Sequence, residues 1–229
     1  MAYLLAIETA TKVCSVGLFK NDELIDLKEE KGNYSHAENI AVFTDELLKE
    51  NQLNSSSLSA VVVSKGPGSY TGLRIGVSFA KGLCYALNIP LISIDTLTAL
   101  ALGFKALNNL EVDLICSMID ARRMEVYAAI YDSDVNLVKP IAADIIAEES
   151  YKNIVQNKKI VFIGDGVAKC KSTLSLASQI FQPEFICSAK HLGQEGYKKF
   201  ESQEFENIAY FEPFYLKEFV ALKSKKSLL

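Results

Sequence analysis

The chain has 229 residues, of which 49% are hydrophobic and 23% charged, the proportions of an ordinary globular protein. Its 24 lysine and arginine residues against 28 aspartate and glutamate residues give a net charge of −4, which argues against binding nucleic acid unaided. Five scattered cysteines form no C-x-x-C pair, and no apolar run approaches the ~18 residues that a membrane span needs. We therefore expect a cytoplasmic protein without a disulfide framework or membrane association.

The first hundred residues combine strands with helical crossovers. A meander of three strands comes first, and a β-branched run then predicts a strand covered on both faces. The predicted strands are 3–8, 13–20, 23–30, 60–64 and 91–94. One helix is predicted from Ser35, as N-cap, to about residue 50, and a second ends near residue 88. This order predicts an α/β layer fold with a mixed sheet.

The second half repeats the pattern in shortened form. Its predicted elements are a helix at 96–107, strands at 113–119, 124–131 and 135–141, a helix around 145–155, a strand at 160–163 and a helix from about 167. We therefore expect two related lobes, residues 1–105 and 106–229. His191 is predicted to lie in a polar C-terminal helix, and the charged end around Lys223–Lys226 is expected to be solvated.

The glycine-rich segment at 65–76 follows a buried strand and precedes a helix, where phosphates often bind. A P-loop or a dinucleotide fingerprint would need glycine at Thr71, so neither template fits. The small residues Gly72, Gly76, Ala80 and Cys84 instead recur every four positions. Such a ridge favours close helix packing or an interface over anion binding. Gly66 and Gly68 are predicted to set the turn that aims the second helix.

The two histidines do not suggest a metal site. His36 would need a second ligand at the position of Ile40, and His191 is remote in the sequence. No Gly-x-Ser-x-Gly elbow presents a nucleophile either. We find no catalytic constellation and expect no metal ligands.

Two polar turns follow corresponding strands in the two halves. Glu8 and Thr9 lie in the first, and Asp120 in the second. Facing turns of this kind hold magnesium-bound phosphate in phosphotransferases, but Ala10 and Ala121 place Cβ atoms where glycines would admit the phosphate. The sequence thus predicts degenerate phosphate turns, in which Asp120 caps its turn or pairs with Arg122. An ATP-dependent small-molecule kinase using Glu8 or Asp120 stays open as an alternative.

Several motifs together resemble the bacterial TsaB (YeaZ) family. They are IETATKVCSV at 7–16, SHAE at 35–38, GPGSYTGLRIG at 66–76, AKGL at 80–83 and DARRMEVY at 120–127. The resemblance is strongest over the first 130 residues and continues weakly in GDG at 164–166 and PFYLK at 213–217. Glu8 departs from the aspartate that the family usually carries there.

The resemblance implies an actin-like fold, shared with sugar kinases and heat-shock-protein ATPases, with two RNase H-like lobes. It implies a non-catalytic subunit of the machinery that attaches threonylcarbamoyl to N6 of adenosine 37 in tRNAs reading codons that begin with A. The implied partners are a metal-bearing TsaD-like catalytic subunit, a TsaE-like ATPase, a second copy of the chain in isolation, and tRNA through the complex. The chain alone is expected to bind no cofactor, with ATP and magnesium confined to the assembled complex. A metallopeptidase, the older label of the family's relatives, is the remaining alternative.

The family's first two helices pair with a second copy or with the catalytic relative as a four-helix bundle. The corresponding docking residues here are His36, Ala37, Ile40, Ala41, Thr44, Gly72, Leu73, Gly76, Val77 and Ala80.

Overall fold

The computed structural model describes residues 1–32 and 36–217 and builds them around two five-stranded mixed sheets. The strands of the first sheet are β1 (Tyr3–Glu8), β2 (Val13–Lys20), β3 (Glu23–Lys31), β4 (Ala60–Gly66) and β5 (Leu91–Asp95). Their order is β3-β2-β1-β4-β5, with an antiparallel meander on one side of β1 and parallel strands on the other. The carboxyl ends of β1, β4 and β5 therefore lie along one edge.

Two helices cover one face of this sheet. They are α1 (His36–Glu50) and α2 (Tyr70–Leu87). Their apolar sides join Leu5, Ile7 and Val61 of the sheet in one core. The side chain of Ser69 accepts a hydrogen bond from the N–H of Gly72 and caps the start of α2. The helix ends at Asn88, whose left-handed backbone is typical of a C-terminal cap.

The second sheet has the same topology as the first. Its strands are β6 (Leu114–Asp120), β7 (Glu125–Asp132), β8 (Leu137–Ile145), β9 (Ile160–Ile163) and β10 (Gln179–Gln182), in the order β10-β9-β6-β7-β8. The shared pattern of antiparallel and parallel pairs confirms the predicted structural echo. Helix α3 (Thr96–Leu107) contacts both sheets, and its Leu100 and Phe104 pack with Ile115 and Val161 of the second.

The structure differs from the sequence prediction around residues 145–155. Only Lys152–Val155, here α4, is helical, because Ile145 still pairs with Glu125 in the sheet. Tyr151 then takes a left-handed backbone (φ 67°), which is incompatible with a helix running through it. The helix predicted from 167 is one short turn, α5 (Val167–Cys170), and strand β10 was absent from the prediction.

The C-terminal part of the chain returns to the first sheet. Helix α6 (Gly193–Glu201) contacts β1, β4 and β5. The approach is close: a Cβ at Gly193 would lie on the ring of Phe19, and one at Gly196 would lie 2.7 Å from Val62. Helix α6, which the sequence prediction assigned to the lobe at 106–229, therefore packs on the sheet of the first lobe.

Two sequence predictions, the Ser35 cap and the charged end around Lys223–Lys226, lie outside the described residues. Within the described ranges, no helix combines the length and apolar character that crossing a membrane requires.

Candidate functional site

The first polar turn is enclosed by the start of α2. The hydroxyl of Thr9 donates a 2.8 Å hydrogen bond to the carbonyl oxygen of Gly72. A Cβ at Gly72 would lie 2.1 Å from the carbonyl oxygen of Thr9, and one at Gly76 would lie 2.2 Å from its hydroxyl oxygen. The spacing of the small residues on α2 predicts that another helix packs against them. In the structure, however, Gly72 and Gly76 contact Thr9 of the chain's own polar turn.

The turn that leads into α2 closes over the same segment. Gly66 has a φ of +115°, a conformation that residues with a side chain rarely adopt. A Cβ at Gly68 would lie 2.4 Å from the carbonyl oxygen of Ala10, and the N–H of Ser69 donates to that same oxygen at 2.7 Å. The Gly66 and Gly68 positions thus admit no side chain, and the Ala10 carbonyl is already bonded.

Glu8 lies at the carboxyl end of β1 and is 1% exposed. Its carboxyl oxygen accepts the N–H of Ala10 at 2.6 Å. Removal from water raises the pKa of Glu8 from 4.5 to about 7, against hydrogen bonds from Ala10 and Ser64 that lower it, while the charge of Asp165 raises it further. The acid after the first strand therefore binds the turn's own backbone N–H, which a phosphate would otherwise use.

The second polar turn is more open. The Asp120 carboxylate accepts the N–H of Arg122 at 2.8 Å and pairs with Lys169. The N–H of Asp120 donates to Asp165 at 3.1 Å, and burial raises the pKa of Asp165. Two roles were predicted for Asp120, capping its turn or pairing with Arg122. In the structure it caps the turn, and its ion-pair partner is Lys169. Among the described residues, no group of three His, Cys, Asp or Glu side chains is arranged to hold a metal ion.

Both histidines are buried. His36 bonds through Nε2 to the carbonyl oxygen of Thr11 at 2.8 Å and so attaches the start of α1 to the first turn. His191 lies in a short 3-10 turn (Ala189–His191) before α6, not within a helix as predicted. Its ring stacks on Phe185, both of its nitrogens are unpartnered, and burial lowers its pKa to about 3.

The ten residues predicted to dock a partner divide by burial. Only Ala37 and Ala41 are exposed. The other eight are buried within the first lobe; they are His36, Ile40, Thr44, Gly72, Leu73, Gly76, Val77 and Ala80. These eight residues therefore pack inside the chain, and of the predicted set only Ala37 and Ala41 lie at the surface.

The solvent-exposed face of α2 was not identified from the sequence as a candidate surface. Its residues recur three or four apart, and they are Thr71, Arg74, Ser78, Gly82 and Tyr85. Tyr85 is 82% exposed, and on α1 Val42 is 51% exposed. A Cβ at Gly82 would meet nothing within 4 Å. Half-buried Phe79 lies beside this stripe with its inner edge on the core. The same spacing of three to four residues, applied to the polar and small residues on the opposite side of the helix, would have identified this face.

Comparison with known proteins places the chain in a family. The family model described as TsaD, tRNA N6-adenosine threonylcarbamoyltransferase, matches residues 30–221. The tRNA threonylcarbamoyladenosine biosynthesis protein TsaB of Escherichia coli is 35% identical over 133 residues, which are 58% of this chain and 56% of that protein. Its Bacillus subtilis namesake is 35% identical over 143 residues, 62% of this chain and 60% of the relative. The chain therefore spans little more than half the length of these relatives.

Solved structures agree on the fold. YeaZ from Pseudomonas aeruginosa superimposes with a TM-score of 0.82 at 24% identity, covering 94% of this chain and all of that one. An activator of 2-hydroxyisocaproyl-CoA dehydratase from Clostridium difficile, solved with bound ADPNP, has a TM-score of 0.51 at 10% identity over 90% of this chain and 98% of its own. These likenesses confirm the predicted α/β actin-like fold of two related lobes. The chain belongs to the threonylcarbamoyltransferase (TsaD) family and, within it, to the TsaB (YeaZ) group.

Proposed function

We propose that the chain is a non-catalytic subunit for the transfer of threonylcarbamoyl to N6 of adenosine 37 in tRNAs that read codons beginning with A. In this role it holds a metal-bearing TsaD-like subunit in its active shape in the cytoplasm. The names of the TsaB relatives support the pathway. The observation that carries the non-catalytic part is the closed first turn, in which Thr9 and Ala10 lie directly beneath α2.

The closed turn argues against phosphotransfer by this chain. A phosphate held at a turn needs free N–H groups and room for its oxygens. Here the N–H of Ala10 is donated to Glu8, and the carbonyl oxygens of Thr9 and Ala10 face Gly72 and Gly68 at distances that leave no space. ATP and magnesium would accordingly bind in the assembled complex, with a TsaE-like ATPase as the third partner.

The docking surface in this proposal is the outer side of α1 and α2. It combines small residues, Ala37, Ala41 and Gly82, with the exposed Val42 and Tyr85. Small residues let another helix approach closely, and exposed aromatic side chains supply buried area on association. The partner is the TsaD-like subunit, and a second copy of the chain takes its place when that subunit is absent. Contact with tRNA then depends on the complex.

Gly82→Trp tests this surface. The position is open, so the indole will not disturb the monomer, and it will project where the partner helix must pack. The matched control is Gly32→Trp, because Gly32 is equally open but follows β3. We expect sedimentation to show lost association with the TsaD-like subunit for Gly82→Trp only, with both monomers folded by circular dichroism. Equal association of both variants would contradict the proposed surface.

A further inference from the structure

Arginine is rare in this chain and unevenly placed. Of its 24 lysine and arginine residues only Arg74, Arg122 and Arg123 are arginine, and two of these are adjacent in the loop between β6 and β7. We call Arg122 and Arg123 the arginine tip. Arg74 donates a 3.0 Å hydrogen bond to the hydroxyl of Tyr70, one turn earlier in α2, so its guanidinium group already has a partner within that helix. Because all but one of the other positive side chains are lysine, the adjacent pair indicates a need for the planar guanidinium fork.

The backbone of the arginine tip is unusual. Arg122 and Arg123 have φ values of 67° and 49°, consecutive left-handed conformations that are normally left to glycine or asparagine. Hydrogen bonds across the loop hold them: the N–H of Arg122 donates to Asp120 at 2.8 Å, and its carbonyl oxygen accepts the N–H of Glu125 at 3.2 Å. Residues other than glycine that are held in a strained backbone conformation cluster at functional positions.

The guanidinium groups are available for a ligand. Both arginines are exposed, and within the described ranges neither side chain has a hydrogen bond or an ion pair. The neighbouring acids are already matched, since Asp120 pairs with Lys169 and Glu125 with Lys217. Among residues 1–32 and 36–217, no ion pair therefore neutralises the positive charge of the tip.

The surroundings of the tip suit RNA. Tyr127 is half-buried beside it: one side of the ring packs on the core of the second sheet, and the Lys217 ammonium lies 5.9 Å from the ring centre, which adds a further positive charge next to the tip. Met124, 40% exposed, adds an apolar side chain within the loop. Guanidinium planes combined with an aromatic ring are what proteins use on single-stranded RNA loops, where they bind phosphates and stack on bases. A protein carboxylate would use the guanidinium groups but not the ring.

We propose that the arginine tip binds phosphodiester groups of the tRNA within the assembled complex, an inference that rests on the proposed function. Two phosphate contacts are compatible with the net charge of −4, because the remaining contacts come from the partner. The chain would thus touch the substrate directly while its partner carries out the chemistry.

The test measures tRNA binding to the reconstituted complex at several salt concentrations, with the double variant Arg122→Gly/Arg123→Gly. Glycine accepts the left-handed backbone, so the variant's thermal stability is expected to be equal or higher. We expect tRNA affinity to fall about tenfold and the slope of log affinity against log salt to become shallower by about 1.4 to 1.8. Lower affinity together with undiminished stability is a combination that a purely structural loop would not give.

Two controls separate the outcomes. Lys158→Gln/Lys159→Gln removes the same charge from another exposed loop of the second lobe and should leave affinity and slope near the wild-type values. Unchanged tRNA affinity in the glycine variant would overturn the proposal, and loss of complex assembly would overturn it in favour of a carboxylate on the protein partner. If omitting the whole chain leaves tRNA binding and modification unaffected, the proposed function fails, and the inference falls with it.

Discussion

The hydroxyl of Thr9 and the carbonyl oxygen of Gly72 are joined by a buried 2.8 Å hydrogen bond that spans 63 residues of sequence. It ties the turn after β1 to the first turn of α2. Gly76, one helical turn further on, completes the enclosure, because its Cα faces the same threonine side chain. A motif that looks suited to phosphate in the sequence is thus used for packing inside the first lobe.

Gly76→Ala should therefore destabilise the protein. Its Cβ would lie 2.2 Å from the Thr9 hydroxyl oxygen. Overpacking of this kind costs about 2 kcal/mol, which outweighs the gain in helix propensity. The matched control is Gly82→Ala in the same helix, where the new Cβ meets nothing and the free energy of unfolding should rise by up to about 1 kcal/mol. Urea denaturation measures both, and shifts of the same sign would refute the enclosure.

Glu8 predicts a dependence of stability on pH. Its pKa is raised by burial from 4.5 to about 7, so the folded state binds a proton that the unfolded state releases. The stability it contributes is complete below pH 4.5 and is lost as the pH rises through 7. Glu8→Gln keeps an acceptor for the N–H of Ala10 but does not titrate. The free energy of unfolding of Glu8→Gln relative to wild type should thus increase by about 3 kcal/mol between pH 4.5 and pH 8. A constant difference would show that the pKa of Glu8 is the same in the folded and unfolded states.

His191 predicts the opposite dependence. Burial without hydrogen bonds lowers its pKa from 6.5 to about 3, so the unfolded state binds the proton first. The stability it contributes is complete above pH 6.5 and is lost as the pH falls towards 3. His191→Phe keeps a ring that can stack on Phe185 and removes the titration. At pH 4 its advantage over wild type should exceed that at pH 7 by about 3 kcal/mol, as measured by chemical denaturation. An equal advantage at both pH values would mean that folding leaves the pKa of His191 unchanged.

The parts of the fold and the site that could be predicted are those fixed by residues close together in the sequence. The first nine strands and the first three helices follow from hydrophobic periodicity, whereas β10 was not predicted. The return of α6 to the first sheet was not visible, because the contacts of Gly193 with Phe19 and of Gly196 with Val62 join residues that are distant in sequence. The spacing of Gly72 and Gly76 predicted close packing against a helix or a partner, whereas the structure packs both against Thr9, which is distant in sequence. The left-handed backbone of Arg122 and Arg123 left no signal in residue type.

Nucleotide binding separates this account from a kinase of the same fold. Because the N–H of Ala10 is donated to Glu8 and α2 covers the turn, the chain alone should give no heat on titration with Mg-ATP up to millimolar concentration. Glu8→Gln should behave in the same way, since the helix still covers the turn. Stoichiometric binding by the isolated chain, weakened in Asp120→Ala, would instead support the kinase.

The most direct test of the scaffold role is reconstituted modification. The chain is combined with the TsaD-like subunit and the ATPase of the same organism, tRNA and threonylcarbamoyl-adenylate, and modified adenosine is detected by mass spectrometry as each component is omitted. The account predicts that product requires this chain, survives Glu8→Gln and Asp120→Ala, and is lost with Gly82→Trp but not with Gly32→Trp. Product that forms equally well without the chain would contradict it.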